Sequence, residues 1–317
     1  MAKNNNKNNY IVLKVDDETK DKMVKFYKSN DRGKTIPYVT LQAVNEDVVI
    51  TIYEKNKKGE NKVMFQGISA DVEASIWAME HDAVETSKKE KEKDYSIYYN
   101  CSSIGSDEVG TGDYYGPIVV TSCYVSKDDI PFLESLGIRD SKKIDDSKIL
   151  KVAPEIAKKI KYKSIILSNS EYNEKYNNSN NNINKIKAIM HNKVLWKMVH
   201  EENLSYDYII VDEFAREARY YEYINDSTEI QRGITFMTKA EDKNLAVACA
   251  SVISRYIFIK EFDKLSDSLH IPLPKGAGPA VDEIGKEIVE KYGEKKLKEV
   301  AKLNFRNTQR ILGTLIL

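Results

Sequence analysis

Apolar and polar positions divide the chain into two parts with different patterns. In the first part, residues 10–15 alternate as a strand does, and a helix capped by Asp17 is predicted to run to about Lys28. Further strands are predicted at 38–44, 47–54 and 62–66, and a helix begins near Asp71. The pattern predicts a small α+β unit.

The second part mixes apolar strand patterns with longer helical ones. Strands are predicted at 104–109, 118–125, 163–167, 208–211 and 233–237. Helices are predicted at about 129–136, 145–160, 185–202, from 246 onward, at 281–291 and at 295–303. The continuous apolar run at 208–211 is typical of a buried central strand. Strands and helices mixed in this way indicate an α/β layered unit.

A dense run of mixed charge separates the two parts at residues 85–94. Domain boundaries fall in exposed polar segments of this kind. We therefore predict a disordered tail at 1–9, a first unit at 10–84, a charged linker at 85–95 and a second unit at 96–317. The Asn-rich stretch at 177–184 predicts a solvated insertion.

Composition narrows the possible partners only a little. Lys+Arg and Asp+Glu both number 49, so the formal net charge is +0 and a nucleic-acid surface would need local clustering of charge. Three scattered cysteines without a CxxC pair predict reduced thiols of a cytoplasmic protein. No secretory signal and no apolar run of the ~20 residues that span a bilayer is found, so we expect no membrane partner.

Two adjacent acids, Asp107 and Glu108, stand between a strand-like approach that begins at Ile104 and a glycine-rich turn. Neighbours on a regular strand point to opposite faces, so the two carboxylates can reach one point only if the chain leaves the strand there. Gly110 and Gly112 permit such a turn. A pair of carboxylates attracts a cation such as Mg²⁺, although an isolated Asp-Glu pair is more often an exposed acidic turn.

Two further acidic pairs strengthen the metal interpretation. Asp212 and Glu213 stand at the end of a strand, and Glu241 and Asp242 lead into a long helix. If the three pairs converge, their negative charge calls for divalent cations, and two metals ~3.5 to 4 Å apart support phosphoryl displacement. A lysine in the Asp-Ser-Lys-Lys loop at 140–143 could neutralise a further phosphate.

Other kinds of catalytic site fit the sequence less well. The chain has no Walker A motif, no HExxH and no GxSxG. The histidines lack ligand spacing, and His191 and His200, on one predicted helix, are expected in core or surface roles. A paired-carboxylate glycosidase stays open on the acids alone, but it would leave the lysine-bearing loop without a role.

Residues 106–117, Ser-Asp-Glu-Val-Gly-Thr-Gly-Asp-Tyr-Tyr-Gly-Pro, resemble the signature of the type 2 ribonucleases H, and the Gly-Thr-Gly form resembles the ribonuclease HIII branch. Segments at 140–143, 211–212, 239–251 and 304–309 are similar to later blocks of that branch in the same order. The resemblance implies a ribonuclease H-like mixed sheet flanked by helices. It also implies that the first unit is a TATA-binding-protein-like, substrate-binding α+β domain.

That resemblance implies an endonuclease that cuts the RNA strand of RNA/DNA hybrids with Mg²⁺ or Mn²⁺ and leaves 5′-phosphate and 3′-hydroxyl ends. The implied metal-binding and catalytic residues are Asp107, Glu108, Asp212 and Glu241, with Glu241 preferred to Asp242. The implied substrate-binding residues are Gly110, Thr111 and Gly112 at ribose 2′-hydroxyls, Lys142 at a phosphate, and Ser251. We expect a monomer.

Two alternative functions stay open at this stage. One is incision at single ribonucleotides in duplex DNA, as in ribonuclease HII, which the Gly-Thr-Gly loop and the additional first unit disfavour. The other is a catalytically silent hybrid-binding protein, which the presence of all four acids disfavours.

Overall fold

The computed structural model describes residues 10–33, 36–45, 48–56, 59–67, 96–138, 144–176 and 182–313, together with residues 70, 73, 74, 77, 84 and 85. Several predictions lie outside these residues. They are the tail at 1–9, the start of the helix at Asp71, nearly all of the linker at 85–95, the loop that carries Lys142 and most of the Asn-rich stretch. The chain forms two compact units, Met1–Lys93 and Asp94–Leu317.

The first unit is a five-stranded antiparallel sheet with one described helix. Its elements are β1 (Tyr10–Val15), α1 (Asp17–Tyr27), β2 (Val39–Asn45), β3 (Val48–Tyr53), β4 (Asn61–Gly67) and β5 (Val84–Glu85). The strand order is β2-β3-β4-β1-β5. The predicted α+β unit is therefore present among the described residues, and β1 to β4 lie where the alternating patterns place them.

The start of α1 differs from the prediction by one residue. Asp16 is the N-cap, because its Oδ1 accepts a hydrogen bond from the amide of Thr19 at 2.7 Å. Asp17 is instead the first helical residue and forms an ion pair with Lys55. Helix α1 buries Met23 and Tyr27 against the sheet, where they join the core with Ile50.

The described residues of the second unit form five strands and a larger number of helices. They are α2 (Ser96–Tyr99), β6 (Ser103–Val109), β7 (Ile118–Val125), α3 (Ile130–Ser135), α4 (Asp146–Lys159), β8 (Lys161–Leu167), α5 (Asn169–Tyr176), α6 (Ile183–Glu201), β9 (Tyr208–Asp212), α7 (Glu217–Tyr223), β10 (Ile234–Met237), α8 (Leu245–Leu269), α9 (Pro279–Val300) and α10 (Arg306–Leu312).

The sheet of the second unit is mixed, with the order β10-β9-β6-β7-β8. Strands β10, β9 and β6 run parallel, whereas β6, β7 and β8 are joined by antiparallel pairing. The first acidic pair lies on β6, the central strand of this sheet. The predicted α/β mixed sheet flanked by helices is therefore confirmed.

The two long helices pack against opposite faces of β6. On one face, α8 approaches so closely that a Cβ on Gly105 would lie 2.4 Å from the backbone nitrogen of Val247. On the other face, Ile104 packs in a core cluster with Leu195 of α6. Because side chains alternate along a strand, each residue of β6 is directed toward one of these two helices.

Four short helices, α2, α5, α7 and α10, were not predicted from the sequence. Each has only four to eight residues, too few for a 3.6-residue apolar period to stand out. The two predicted C-terminal helices are observed as α9, which is interrupted at Gly293, where φ is 80° and ψ is 166°. Among the described residues, none of the helices has the length and apolar character needed to cross a bilayer.

Candidate active site

The first acidic pair lies within β6, and the expected departure from the strand at Asp107 and Glu108 is wrong. Strand β6 pairs with β7 through Val109, so the two acids keep the alternating directions of a regular strand. Asp107 is directed toward α8 and Glu108 toward α6. The turn begins only at Gly110, whose φ of 91° is one that L-residues rarely adopt.

Asp107 lies in a partly buried and negatively charged environment. Burial raises the pKa of its carboxyl well above the ordinary value, and the charges of Glu108 and Asp212 raise it further. A hydrogen bond with the Ser251 side chain on α8 acts in the opposite direction. The Asp107 Oδ1 also accepts a hydrogen bond from the Glu108 amide at 2.9 Å. The carboxyls of Asp107, Glu108 and Asp212 therefore share one electrostatic neighbourhood.

Glu108 is held by two nitrogen donors on α6. Lys187 Nζ lies 2.5 Å from Oε1, and His191 Nε2 lies 2.9 Å from Oε2. Burial alone would raise the pKa of Glu108, but the Lys187 ammonium and the His191 hydrogen bond outweigh burial and hold this pKa below its ordinary value. Glu108 is therefore a buried carboxylate that stays ionised.

The other two acids are positioned by the ends of β9 and β10. Val211 pairs with Ser106 in the parallel ladder, so Asp212 stands one position further along β9, as Asp107 does on β6. Asp212 Oδ1 accepts a hydrogen bond from the amide of Ala240 at 2.9 Å, which fixes the short turn that carries Glu241. Glu241 is buried, whereas Asp242 is exposed, in keeping with the preference for Glu241.

These carboxylates are chemically suited to a hard divalent cation, because Mg²⁺ and Mn²⁺ prefer oxygen ligands. Across the part of the chain that the structure describes, no three His, Cys, Asp or Glu side chains already converge as a metal cage. Mutual repulsion keeps like charges apart, and both oxygens of Glu108 already have donors. A cation that joins these acids therefore requires small rearrangements of their side chains.

The glycine-rich loop follows β6 and is anchored from several directions. A Cβ on Gly110 would lie 2.1 Å from the Pro117 carbonyl, so this position accepts only glycine. Gly112, in contrast, is exposed, has no atom within 4 Å of an added Cβ and does not have a positive φ. Gly110 therefore shapes the turn, and the partly exposed Thr111 and the exposed Gly112 leave their backbone accessible to a ligand.

Lys302, a residue that the sequence did not single out, supports this loop from inside the protein. Its side chain is fully buried, and Nζ donates to the carbonyls of Asp113 at 2.7 Å and Gly116 at 2.6 Å. The amide of Lys302 also donates to the Tyr114 carbonyl at 2.8 Å. Three contacts from one residue therefore hold residues 113–116 in place.

An open cavity of about 420 Å³ adjoins the acids on the α8 side. Glu108, Ser251 and Arg255 contribute to its lining, and Ser251 and Arg255 lie one helical turn apart as the sequence predicted. Arg255 Nε donates to Asp146 Oδ1 at 2.9 Å, and Lys275 Nζ lies 2.5 Å from Asp146 Oδ2. The cavity thus extends from Glu108 to Arg255, whose guanidinium is paired with Asp146.

The residues predicted as site residues have different outcomes in the structure. Asp107 and Asp212 lie side by side on adjacent strands, Glu108 follows Asp107 on the other face of β6, Glu241 is tied to Asp212 through its turn, and Ser251 contacts Asp107. Lys142 lies outside the described residues. The expectation of a core or surface role for His191 missed its contact with Glu108, and Lys187 was not noticed at all. Both contacts join residues about eighty positions apart, so no local motif could reveal them.

Comparisons with known proteins identify relatives that match both units of the chain. The sequence profile of the family described as Ribonuclease HII matches residues 104–308, and that of Domain of unknown function (DUF3378) matches residues 10–91. The chain is 36% identical to ribonuclease HIII of Bacillus licheniformis, over 95% of this chain and 97% of the relative. It is also 36% identical to ribonuclease HIII of Bacillus cereus, over 97% of this chain and 99% of the relative.

Solved structures show the same similarity. Bst-RNase HIII in complex with Mn²⁺ has a TM-score of 0.68 and 35% identity, covering 96% of this chain and 98% of that one. Ribonuclease H2 of Pyrococcus horikoshii, at 20% identity and a TM-score of 0.56, shows a shared fold over 66% of this chain and 96% of that one. From its full-length relatives and the profile match across its second unit, this chain belongs to the ribonuclease HIII family.

Proposed function

We propose that this protein is an endonuclease that hydrolyses the RNA strand of RNA/DNA hybrids and leaves 5′-phosphate and 3′-hydroxyl ends. The observation that carries the proposal is the position of Asp107 and Asp212 side by side on adjacent parallel strands at the centre of the sheet, with Glu108 next to Asp107. A catalytically silent hybrid-binding protein would have no use for neighbouring carboxylates whose charges repel one another in a site partly shielded from water.

The proposed metal ligands are Asp107, Glu108, Asp212 and Glu241, and the proposed cations are Mg²⁺ or Mn²⁺. When bound, such cations supply activation of the attacking water and stabilisation of the leaving oxygen in an in-line displacement. The contribution of the chain itself is to position these acids. Pairing of β6 with β9 fixes Asp107 beside Asp212, and the Ala240 amide orients Asp212.

Recognition of the RNA strand is assigned to the loop at Gly110, Thr111 and Gly112. A ribose 2′-hydroxyl both donates and accepts hydrogen bonds, so an accessible backbone beside the acids can distinguish RNA from DNA. Ser251, whose hydroxyl contacts Asp107, is placed to contact the substrate beside the reacting phosphate. Lys142 is proposed to hold a phosphate on the sequence resemblance alone.

The first unit is proposed to bind the hybrid and thereby raise the affinity of the whole chain. The profile match at 10–91 shows that this unit is a recognised domain, and α1 and the turn after it carry Lys22, Lys25, Lys28 and Arg32. Contacts from such residues to phosphates bind nucleic acid without reading its sequence. Tethering two binding units increases affinity by raising effective concentration.

We further propose that the protein acts as a monomer in the cytoplasm. Cys101, Cys123 and Cys249 are all buried and free, which suits a reducing compartment.

The proposed function is tested with two labelled duplexes, a uniform RNA/DNA hybrid and a DNA duplex with one ribonucleotide, each incubated with Mg²⁺ and with Mn²⁺. We expect cation-dependent cleavage at many positions in the hybrid and much slower cleavage of the second duplex. Preferred incision at the single ribonucleotide would favour the ribonuclease HII-like alternative. Absence of cleavage with hybrid affinity retained would favour the silent binding protein.

A further inference from the structure

Lys187 of α6 is a buried lysine that points into the acidic site. Its side chain is only 11% exposed, and Nζ lies 2.5 Å from Glu108 Oε1. The same ammonium lies 4.1 Å from the centre of the Phe214 ring, an attractive cation–π distance. The lysine is thus fixed between an aromatic ring and an acid that is proposed to bind metal.

His191, one turn further along α6, engages the other oxygen of the same carboxylate. Its Nε2 lies 2.9 Å from Glu108 Oε2, and its Nδ1 lies 2.8 Å from Ser106 Oγ. An ionised carboxylate can only accept hydrogen bonds, so the Nε2–H group of His191 donates to Glu108. Both oxygens of Glu108 are therefore bound by nitrogen donors.

We propose that Lys187 is an internal counter-cation that competes with divalent cations for Glu108 and so sets the metal affinity of the acidic site. This inference rests on the proposed function, because it takes Glu108 as a metal-binding residue. The competition is direct, since a cation that uses Glu108 must share or displace the bond from Lys187.

The positive charge of Lys187 determines whether its removal strengthens or weakens metal binding. A divalent cation on Glu108 lies within several ångströms of the Lys187 ammonium, and like charges repel strongly at a site shielded from water. Removing the positive charge of Lys187 should therefore strengthen metal binding, whereas damage to the site would weaken it.

Lys187 also has a stabilising role that explains its presence. A buried carboxylate without a partner is costly, and removing one member of a buried ion pair is strongly destabilising. Lys187 keeps Glu108 ionised and in place, at the expense of metal affinity. The two effects predict that a Lys187 variant is less stable by itself yet gains more from a bound cation.

The test is a Mn²⁺ titration of the full chain without substrate, with free Mn²⁺ measured by electron paramagnetic resonance. Lys187→Met and Lys187→Gln are compared with wild type, with Lys193→Met on the exposed face of the same helix as the matched control. We expect about tenfold tighter Mn²⁺ binding in both Lys187 variants, a modest figure for removing a nearby unit charge. Lys193→Met should bind as wild type does.

Thermal unfolding with and without Mn²⁺ provides a second readout that tolerates loss of stability. The Lys187 variants should melt below wild type alone and show a larger upward shift of Tm with Mn²⁺. Unchanged or weaker Mn²⁺ binding by both variants would overturn the inference. The variant Asp107→Asn distinguishes failure of the proposed metal site from failure of the proposed role of Lys187. If Asp107→Asn binds Mn²⁺ as tightly as wild type does, the proposed metal site itself is wrong. If Asp107→Asn binds Mn²⁺ more weakly while the Lys187 variants bind it as wild type does, only the role of Lys187 is overturned.

Discussion

The buried Lys302 should make the free energy of unfolding of the second unit depend on pH. Burial lowers the pKa of its fully buried ammonium to about 7, and the negative charge of Asp113 offsets burial only in part. In the unfolded chain the same lysine has its ordinary pKa of 10.5. Between these two values the unfolded state holds a proton that the folded state lacks, so stability rises with pH.

The sign of this pH dependence follows from the lowered pKa of Lys302 in the folded state. The stability associated with Lys302 is fully present above pH 10.5 and is lost as pH falls toward the folded value of about 7. Each pKa unit corresponds to about 1.4 kcal/mol, so raising the pH from about 7 to about 9 should stabilise the second unit by about 2 kcal/mol through Lys302. Methionine does not titrate, so Lys302→Met removes this dependence.

The measurement is urea unfolding at both pH values, followed by tryptophan fluorescence. The chain has two tryptophans, Trp77 in the first unit and Trp196 in the second, so a Trp77→Phe background leaves Trp196 as the reporter. In that background, the difference in unfolding free energy between the protein that retains Lys302 and the Lys302→Met variant should grow by about 2 kcal/mol from the lower to the higher pH. Lys193→Met, which removes an exposed lysine, should show no such growth.

If the difference in unfolding free energy between the protein with Lys302 and the Lys302→Met variant stays constant across this pH range, the prediction is wrong. It would mean that the carbonyls of Asp113 and Gly116 hold the Lys302 ammonium charged in the folded state despite its burial. Lys302→Met should also raise KM for the hybrid more than it lowers kcat, because residues 113–116 lose their internal support.

Three further predictions concern the site and the first unit. Gly105→Ala should destabilise the second unit by about 1–3 kcal/mol or more, because its Cβ meets the backbone of α8 at 2.4 Å. In Gly112→Ala the added Cβ has no atom within 4 Å, so this variant should unfold at the same urea concentration as wild type. Equal urea midpoints for Gly105→Ala and Gly112→Ala would contradict the close packing of α8 on Gly105. Ser251→Ala removes a hydroxyl that binds Asp107 and should lower kcat/KM roughly 10-fold or more with little change in Tm, and unaltered kinetics would exclude a role in the reaction. Deletion of residues 1–93 should weaken hybrid binding by at least about tenfold while Mn²⁺ binding persists, and equal hybrid affinity in fluorescence anisotropy would dismiss the role of the first unit.

The strands were predictable because their signal is local. Residues 118–125 contain many β-branched side chains, and the observed β7 has the same bounds. The acids at 107, 108, 212 and 241 were proposed from the sequence because three acidic pairs stand beside predicted strands or a helix, and the resemblance to type 2 ribonucleases H selects these four. Short helices such as α7 were missed because seven residues carry too little periodicity.

Contacts between distant segments set the limit of prediction. The alternation rule required Asp107 and Glu108 to diverge on a regular strand, but only the pairing with β7 shows that the strand continues through both. The donors to Glu108 on α6 and the support of the loop by Lys302 depend on packing across long stretches of chain. A lysine or histidine within a helix looks the same in sequence whether it faces solvent or a buried acid.

The most direct test of the central claim is cleavage of a uniform RNA/DNA hybrid by wild type and Asp212→Asn, with hybrid affinity measured in parallel. The substitution keeps the size of the side chain and an oxygen for the Ala240 amide, but it removes the charge that a divalent cation requires. The account predicts that Mn²⁺-dependent cleavage falls by at least about 100-fold while hybrid affinity and Tm stay close to wild type. Cleavage by Asp212→Asn at a rate close to wild type would contradict the assignment of these acids as the metal-binding centre.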